Sequence, residues 1–197
     1  MAVPLTVHSR VVRVTHWVNA IAILVMISSG TAIHNAHPTL PFSIPGVFAA
    51  GLGFIGALRW HFAAMWVVMT NGLVMIGHGI ISGRYRHKLL PISLSGVVAT
   101  VGETLRGKLT HDDPSSYNAV QRLLYLGVIC SIVAVVVTGL AIWKPVQFGV
   151  LTTLFGDFDR ARLVHFCAAS AIALFVCVHV VMATLVPRSL LAMIRGH

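Results

Sequence analysis

Four long apolar stretches, separated by shorter polar ones, set the pattern of this chain: Val14 to His34, His61 to Gly83, Val120 to Trp143 and Arg162 to Val186. Each approaches or exceeds the ~20 residues that a helix rising about 1.5 Å per residue needs to cross hydrocarbon. Inside a bilayer no water is available to bond backbone groups, so each stretch is predicted to be helical. The pattern therefore predicts an all-α fold, an integral membrane four-helix bundle with residues 1–197 as one domain. Residues 34–60 carry Pro38, Pro41 and Pro45-Gly46 and then GVFAAGLGFIGALRW, predicted to be a short interfacial piece. Residues 84–119 form the longest polar interruption. Within them Val97, Val98, Val101 and Leu105 recur at helical spacing, which predicts an amphipathic helix on the membrane surface. No internal repeat, low-complexity tract or separate soluble domain is expected.

Composition agrees with this pattern, since 57% of the 197 residues are hydrophobic and only 10% are charged. A soluble domain of this length needs a more charged surface. The net charge of +9 would point to nucleic acid in a soluble protein. In a membrane chain it reports topology, because cytoplasmic loops collect Lys and Arg. One side holds Arg10, Arg13, Arg84, Arg86, Lys88, Arg106, Lys108, Arg122, Arg188 and Arg195, the other only Arg59, Lys144, Arg160 and Arg162. Both termini and the central loop are thus expected in the cytoplasm and the chain in a bacterial inner membrane, with the lipid bilayer and no nucleic acid as partner. Arg10 and Arg13 ahead of an apolar run imitate a secretory signal, but no small-residue cleavage site follows, so the run reads as a retained span. Cys130, Cys167 and Cys177 form no CxxC or CxxCH motif and are expected to be small core residues.

The chemistry lies in the eleven histidines. His8, His37, His87, His111 and His197 fall in loops or tails and His34 at a span end, where solvated or interfacial side chains are expected. His165 and His179 are 14 residues apart. That is close to four helical turns, so they share a helix face about 21 Å apart along the axis. With the spans alternating in direction, His61 is level with His165 and His16 with His179. Imidazoles on facing helices can hold a non-covalent haem b, so the two pairs predict two such cofactors. A lone intramembrane histidine can instead serve helix packing or a proton path, and zinc prefers one tetrahedral cluster. Two pairs at matched depths favour haem. Gly30 lies on the face of His16 at the level of the outer pair, where a haem could rest against it, with Gly127 and Gly139 as counterparts on the third span. His78, on another face near the inner surface, is a candidate for a haem propionate, a quinone or neither. Arg10, Arg13, Arg84 and Arg86 are candidates for propionates, although topology alone also accounts for them.

The chain also resembles a known family. RVTHWVNAIAILVMISSG in the first span, RWHFAAMWVVMTNGLVMIGHGIISGRYR in the second, SYNAVQRLLY before the third and RLVHFCAASAIALFVCVHVVM in the fourth are similar to the four-span di-haem cytochrome b subunits of nickel-iron hydrogenases, formate dehydrogenases and related periplasmic oxidoreductases. The resemblance implies that His16, His61, His165 and His179 are the axial ligands of the haem irons. It also implies a quinone site near the inner haem that includes Asn118, with Tyr117, Gln121 and Arg122 beside it, though Asn118 could equally cap the third span. By the same resemblance the chain is an electron-transfer subunit with no catalytic residues of its own, working between a periplasmic molybdenum or nickel-iron oxidoreductase and the quinone pool. Arg59, Lys144, Asp157, Asp159, Arg160 and Arg162 would offer that partner a charged rim or form a solvated loop. One alternative is a stand-alone quinone-linked cytochrome acting on a small species such as superoxide. Another is a haem-free, histidine-lined transporter.

Overall fold

The structure, a computed structural model, describes residues 9–83 and 119–196, without the side chains at 119–123, 188 and 189. The expected surface helix, Arg84, Tyr117 and Asn118 lie outside the described residues. Four long apolar helices carry the fold: α1 (Arg10–Ala36), α2 (Phe54–Ile81), α3 (Ala119–Trp143) and α5 (Phe158–Leu185). The described residues also form two short α-helices, α4 (Gly149–Leu154) before α5 and α6 (Pro187–Arg195) after it, and a 3-10 turn at Gly46–Ala49.

Local chemistry explains the boundaries. Ser9 caps α1 by accepting from the Val12 N–H at 3.4 Å, and Asp157 caps α5 by accepting from the Arg160 N–H at 2.7 Å. Pro187 has no N–H to continue α5, and its ring disfavours a helical Val186, so the chain turns there and restarts as α6 with Pro187 in the first turn. Gly196, at φ 91°, closes α6 in the left-handed conformation that suits glycine. The helix α2 begins at Phe54, earlier than the apolar run at His61 suggests. Ala57 is fully buried there against Ala32 and Ala49, with Ile33 and Leu52 around them, so the glycine-rich stretch earns its helical turns by packing into the elbow between α1 and α2.

The helices form two hairpins, with α1 packed along α2 and α3 along α5, while the hairpins approach each other less closely. Ser9, Gly83, Ala119 and α6 lie at one end of the bundle, called the terminal end. The segments 37–53 and 144–157 lie at the other, the loop end. Small residues such as Ala22, Ala32, Ala64 and Ala141 are buried, whereas Ile21, Leu73, Ile81 and Leu174 point outward. Outward apolar faces are what lipid requires, because hydrocarbon is as favourable to leucine as a core is. The same reasoning corrects the expectation for the cysteines, since Cys130, Cys167 and Cys177 are all exposed on helix surfaces rather than in the core.

The two hairpins repeat each other, contrary to the expectation of no repeat. Ser29-Gly30-x-Ala32-Ile33 near the loop end of α1 recurs as Thr138-Gly139-x-Ala141-Ile142 in α3. Phe54-x-x-Ala57-x-x-x-His61-Phe62-x-Ala64 in α2 recurs as Phe158-x-x-Ala161-x-x-x-His165-Phe166-x-Ala168 in α5. The contacts repeat as well: the His34 ring stacks on Phe166 at 4.7 Å, and Trp143, which occupies the position of His34, meets Phe62 at 5.7 Å. Two helices of a pair are thus built twice, in parallel orientation, as in membrane folds whose halves are related by an axis along the bilayer normal. The identities are few and sit where side chains meet, and the connecting loops differ, which hides the repeat from inspection of the string alone.

Candidate functional site

At the loop end, His61 of α2 and His165 of α5 face each other across the gap between the hairpins, ring centres 6.4 Å apart and planes inclined by 60°. Each ring has the same surroundings. Ser29 Oγ lies 3.0 Å from His61 Nδ1, and Thr138 Oγ1 lies 2.9 Å from His165 Nδ1. Both hydroxyls are fully buried. Each donates its single proton one turn back along its own helix, Ser29 to the Val25 carbonyl and Thr138 to the Ala134 carbonyl, both at 2.6 Å. A hydroxyl whose proton is already committed can only accept from the ring, so in both histidines Nδ1 carries the hydrogen. The lone pair is then on Nε2, the form in which a histidine binds a metal while its other nitrogen is held by a neighbour. Glycine follows each hydroxyl for a steric reason. A Cβ on Gly30 would stand 3.6 Å from His61 Cε1, and one on Gly139 would stand 3.4 Å from His165 Cε1. Gly30 therefore seats the His61 ring itself. A Cβ on Gly127 would meet nothing within 4 Å.

Toward the terminal end, His16 of α1 faces His179 of α5, ring centres 5.9 Å apart and planes again inclined by 60°. Phe175, one turn earlier on α5, stacks nearly parallel on His179 at 5.7 Å and touches Tyr125 of α3 at 6.4 Å. Trp17 meets the edge of His16 at 5.5 Å. Asn71 of α2 donates to the Thr15 carbonyl at 2.7 Å, bracing α1 beside His16. Arg13, one turn before His16, lies against Gly196 at the carbonyl end of α6, and its buried Nε has no hydrogen-bond partner among the described residues.

The remaining sequence candidates are more scattered. His78 is half-buried near the end of α2, and its side chain makes no hydrogen bond or ring contact among the described residues. Gln121 is in the first turn of α3, but its side chain, like Arg84 and Asn118, lies outside what is described. His34 corrects an expectation. It is 5% exposed rather than solvated, accepts from the Thr39 N–H at Nδ1 (3.4 Å) and donates from Nε2 to the Phe42 carbonyl (3.1 Å). Asn35 beside it exchanges two 2.8 Å bonds with the Ile44 backbone, and Arg162 donates to the His37 carbonyl at 2.7 Å. These bonds lay segment 37–53 over the loop end. A cleft of about 350 Å³ opens there, lined by Pro38, Thr39, Leu40, Asp157, Asp159, Arg160, Arg162 and Leu163. Ser29 and Thr138 were missed as site residues, although a hydroxyl-glycine step at the same place in two apolar helices was a usable signal.

The donor geometry suits a metal held between two imidazoles. Bonds of about 2.0–2.1 Å to a nitrogen on each side separate the ring centres by roughly 6.3 Å, against 6.4 Å and 5.9 Å here. No group of three or more His, Cys, Asp or Glu converges among the described residues. Each place thus offers two facing imidazoles and not a converging cluster of donors, a set of residues that would hold a b haem and let it supply one-electron chemistry.

Four apolar helices that bring imidazoles face to face at two depths are the arrangement expected of a membrane cytochrome of the b type. Comparison with known proteins agrees: residues 7–196 match the profile of the prokaryotic cytochrome b561 family, and the chain belongs to that family. It is also similar to a protein of Azospira oryzae provisionally named protein-methionine-sulfoxide reductase subunit YedZ1, 48% identical over 191 residues, which are 97% of this chain and 96% of the relative. The protein is accordingly a multi-pass inner-membrane protein of a family that transfers electrons and binds b-type haem.

Proposed function

We propose that the chain carries two b haems, one between His61 and His165 and one between His16 and His179, and passes electrons between a secreted oxidoreductase at the loop end and quinone at the terminal end. The observation that carries this reading is the pair of facing imidazole pairs at separations suited to a shared metal. When bound, haem supplies reversible one-electron chemistry, and the chain supplies ligation, burial and orientation. His61 and His165 present Nε2 because Ser29 and Thr138 hold Nδ1. α5 contributes one histidine to each pair, so a single continuous helix sets the spacing between the two sites.

The excess of Lys and Arg at the terminal end favours that end as cytoplasmic. The loop end then faces the periplasm, where the charged cleft beside segment 37–53 offers a docking place. The partner is a molybdenum or nickel-iron oxidoreductase in the wider resemblance. The name of the Azospira relative favours a protein-methionine-sulfoxide reductase. At the terminal end, the Nε of Arg13, which has no partner among the described residues, suits a haem propionate, with Arg84 and His78 as further candidates. Asn118 and Gln121, at and beyond the foot of α3, are proposed for the quinone.

The test is a reduced-minus-oxidised spectrum of the purified protein with pyridine-haem quantification per chain. Two haems are expected, falling to one in His61→Ala or His165→Ala alone and in His16→Ala alone. Absence of haem, or full loading after His165→Ala and His179→Ala together, overturns the proposal.

A further inference from the structure

The duplicated hairpin gives the loop-end pair a property that neither the family nor the ligand set supplies. Its two imidazoles are equivalent, and each is tied to a buried hydroxyl that is itself tied to a backbone carbonyl. From this we infer that Ser29 and Thr138 are matched positioning residues, which act through His61 and His165 to lower the reduction potential of the haem held there. The inference rests on the proposal that this pair ligates haem.

The direction follows from the bond order in each chain of contacts. The hydroxyl donates to a carbonyl at 2.6 Å in both hairpins. Donation polarises the oxygen and makes it a better acceptor, because linked hydrogen bonds strengthen one another. That oxygen accepts Nδ1–H at 3.0 Å from His61 and at 2.9 Å from His165. Drawing the Nδ1 proton away enriches the ring in electron density and makes Nε2 the stronger donor. A stronger donor stabilises ferric over ferrous iron, so the potential falls. The bonds also fix ring rotation, and Gly30 and Gly139 bring the helix backbone close enough for the hydroxyls to reach. The absence of solvent matters too. Ser29 and Thr138 have no exposed surface, so bulk water does not compete with them for the ring N–H.

The experiment is a potentiometric titration of the purified, haem-loaded protein, with the loop-end component identified as the one lost in His165→Ala. Thr138→Val keeps the shape of threonine and removes the acceptor, and Ser29→Ala does the same at His61. Each is expected to shift the oxidised-to-reduced ratio of that component by about tenfold at fixed potential, toward the reduced form. Tenfold is about 59 mV for a one-electron couple. The double variant should move about twice as far, with the other component unmoved. Thr138→Ser and Ser29→Thr, which restore a hydroxyl, should titrate as wild type. Loss of the loop-end haem in Thr138→Val with retention in Thr138→Ser would also support the assignment. Full loading with an unmoved potential in both hydroxyl-free variants overturns this inference alone, as does loss of haem in Thr138→Val and Thr138→Ser alike. A wild-type chain that holds no haem overturns the underlying reading and this one with it.

Discussion

The seat beneath the His165 ring allows a graded test in which one methyl is tolerated and three carbons are not. A Cβ at Gly139 would lie 3.4 Å from His165 Cε1 and 3.7 Å from Nδ1, close to ordinary contact. Gly139→Ala should therefore leave the ring in place and both haems bound. Valine adds two carbons about 1.5 Å beyond that Cβ. One directed at the ring would come well inside the roughly 3.5 Å at which carbon atoms rest. The ring must then retreat by about 1 Å or more, which a metal bond of about 2 Å cannot follow. Forcing extra carbons into a packed site costs about 1–3 kcal/mol in addition. Gly139→Val is thus expected to lose the loop-end haem, halving the haem per chain, while Gly139→Ala stays near two. At Gly30 the starting distance is 3.6 Å, so Gly30→Val should show the same loss in milder form. Pyridine-haem quantification and the reduced-minus-oxidised spectrum of each variant provide the measurement. Full haem content and an unchanged spectrum in Gly139→Val would refute the reasoning, since the ring could not then be seated on that glycine.

Other variants probe the scaffold around the site. Asn35→Ala removes both 2.8 Å bonds to Ile44 and should lower the unfolding free energy in detergent by about 1–3 kcal/mol. It should also speed proteolysis within segment 37–53 while leaving haem content unchanged. Asn71→Leu removes the 2.7 Å bond to the Thr15 carbonyl, and its cost should be about 0.6–1 kcal/mol, typical of interhelical hydrogen bonds in membranes. A denaturation midpoint equal to wild type would count against that bond. Gln121→Ala combined with Asn118→Ala should slow reduction by quinol about tenfold, the equivalent of one hydrogen bond of about 1.4 kcal/mol. Dithionite should still reduce both haems fully in that variant, and wild-type rates with quinol would exclude these residues from the quinone site.

Much of the architecture was legible in the sequence because the membrane leaves few choices. A run of about twenty apolar residues must be a helix, and helices of alternating direction set residues such as His61 and His165 at one depth. That depth argument also anticipated which rings the structure brings together. Segment 37–53 was less legible, because the five bonds that hold it come from His34 and Asn35 at the end of α1 and from Arg162, more than a hundred residues further on, all unremarkable in type. His34 sits at a span end, where a histidine usually meets water, and only the return of Thr39 and Phe42 over it explains its burial. The cysteines were misplaced by carrying a rule of soluble cores into lipid, where an apolar side chain is as well placed on the outer surface of a helix as between helices.

The repeat also explains why the two ends of the bundle differ. Counted in the register that superposes the hairpins, His61 and His165 are equivalent, so the loop-end pair lies between two like halves. The same register sets Tyr125 of α3 opposite His16 of α1, and Met75 of α2 opposite His179 of α5. One hairpin therefore supplies the terminal-end histidine from its first helix and the other from its second, and the symmetry ends there. The terminal-end pair belongs to α1 and α5, leaving the equivalent positions on α2 and α3 to side chains of different chemistry. Met75 receives the Asn19 amide at 3.2 Å, and Tyr125 leans on the Phe175 ring that stacks on His179. An end with two unlike sides suits the proposal of two unlike ligands there, a haem and a quinone. The His61–His165 pair, by contrast, is given matching surroundings by the two hairpins, a hydroxyl and a glycine beside each ring.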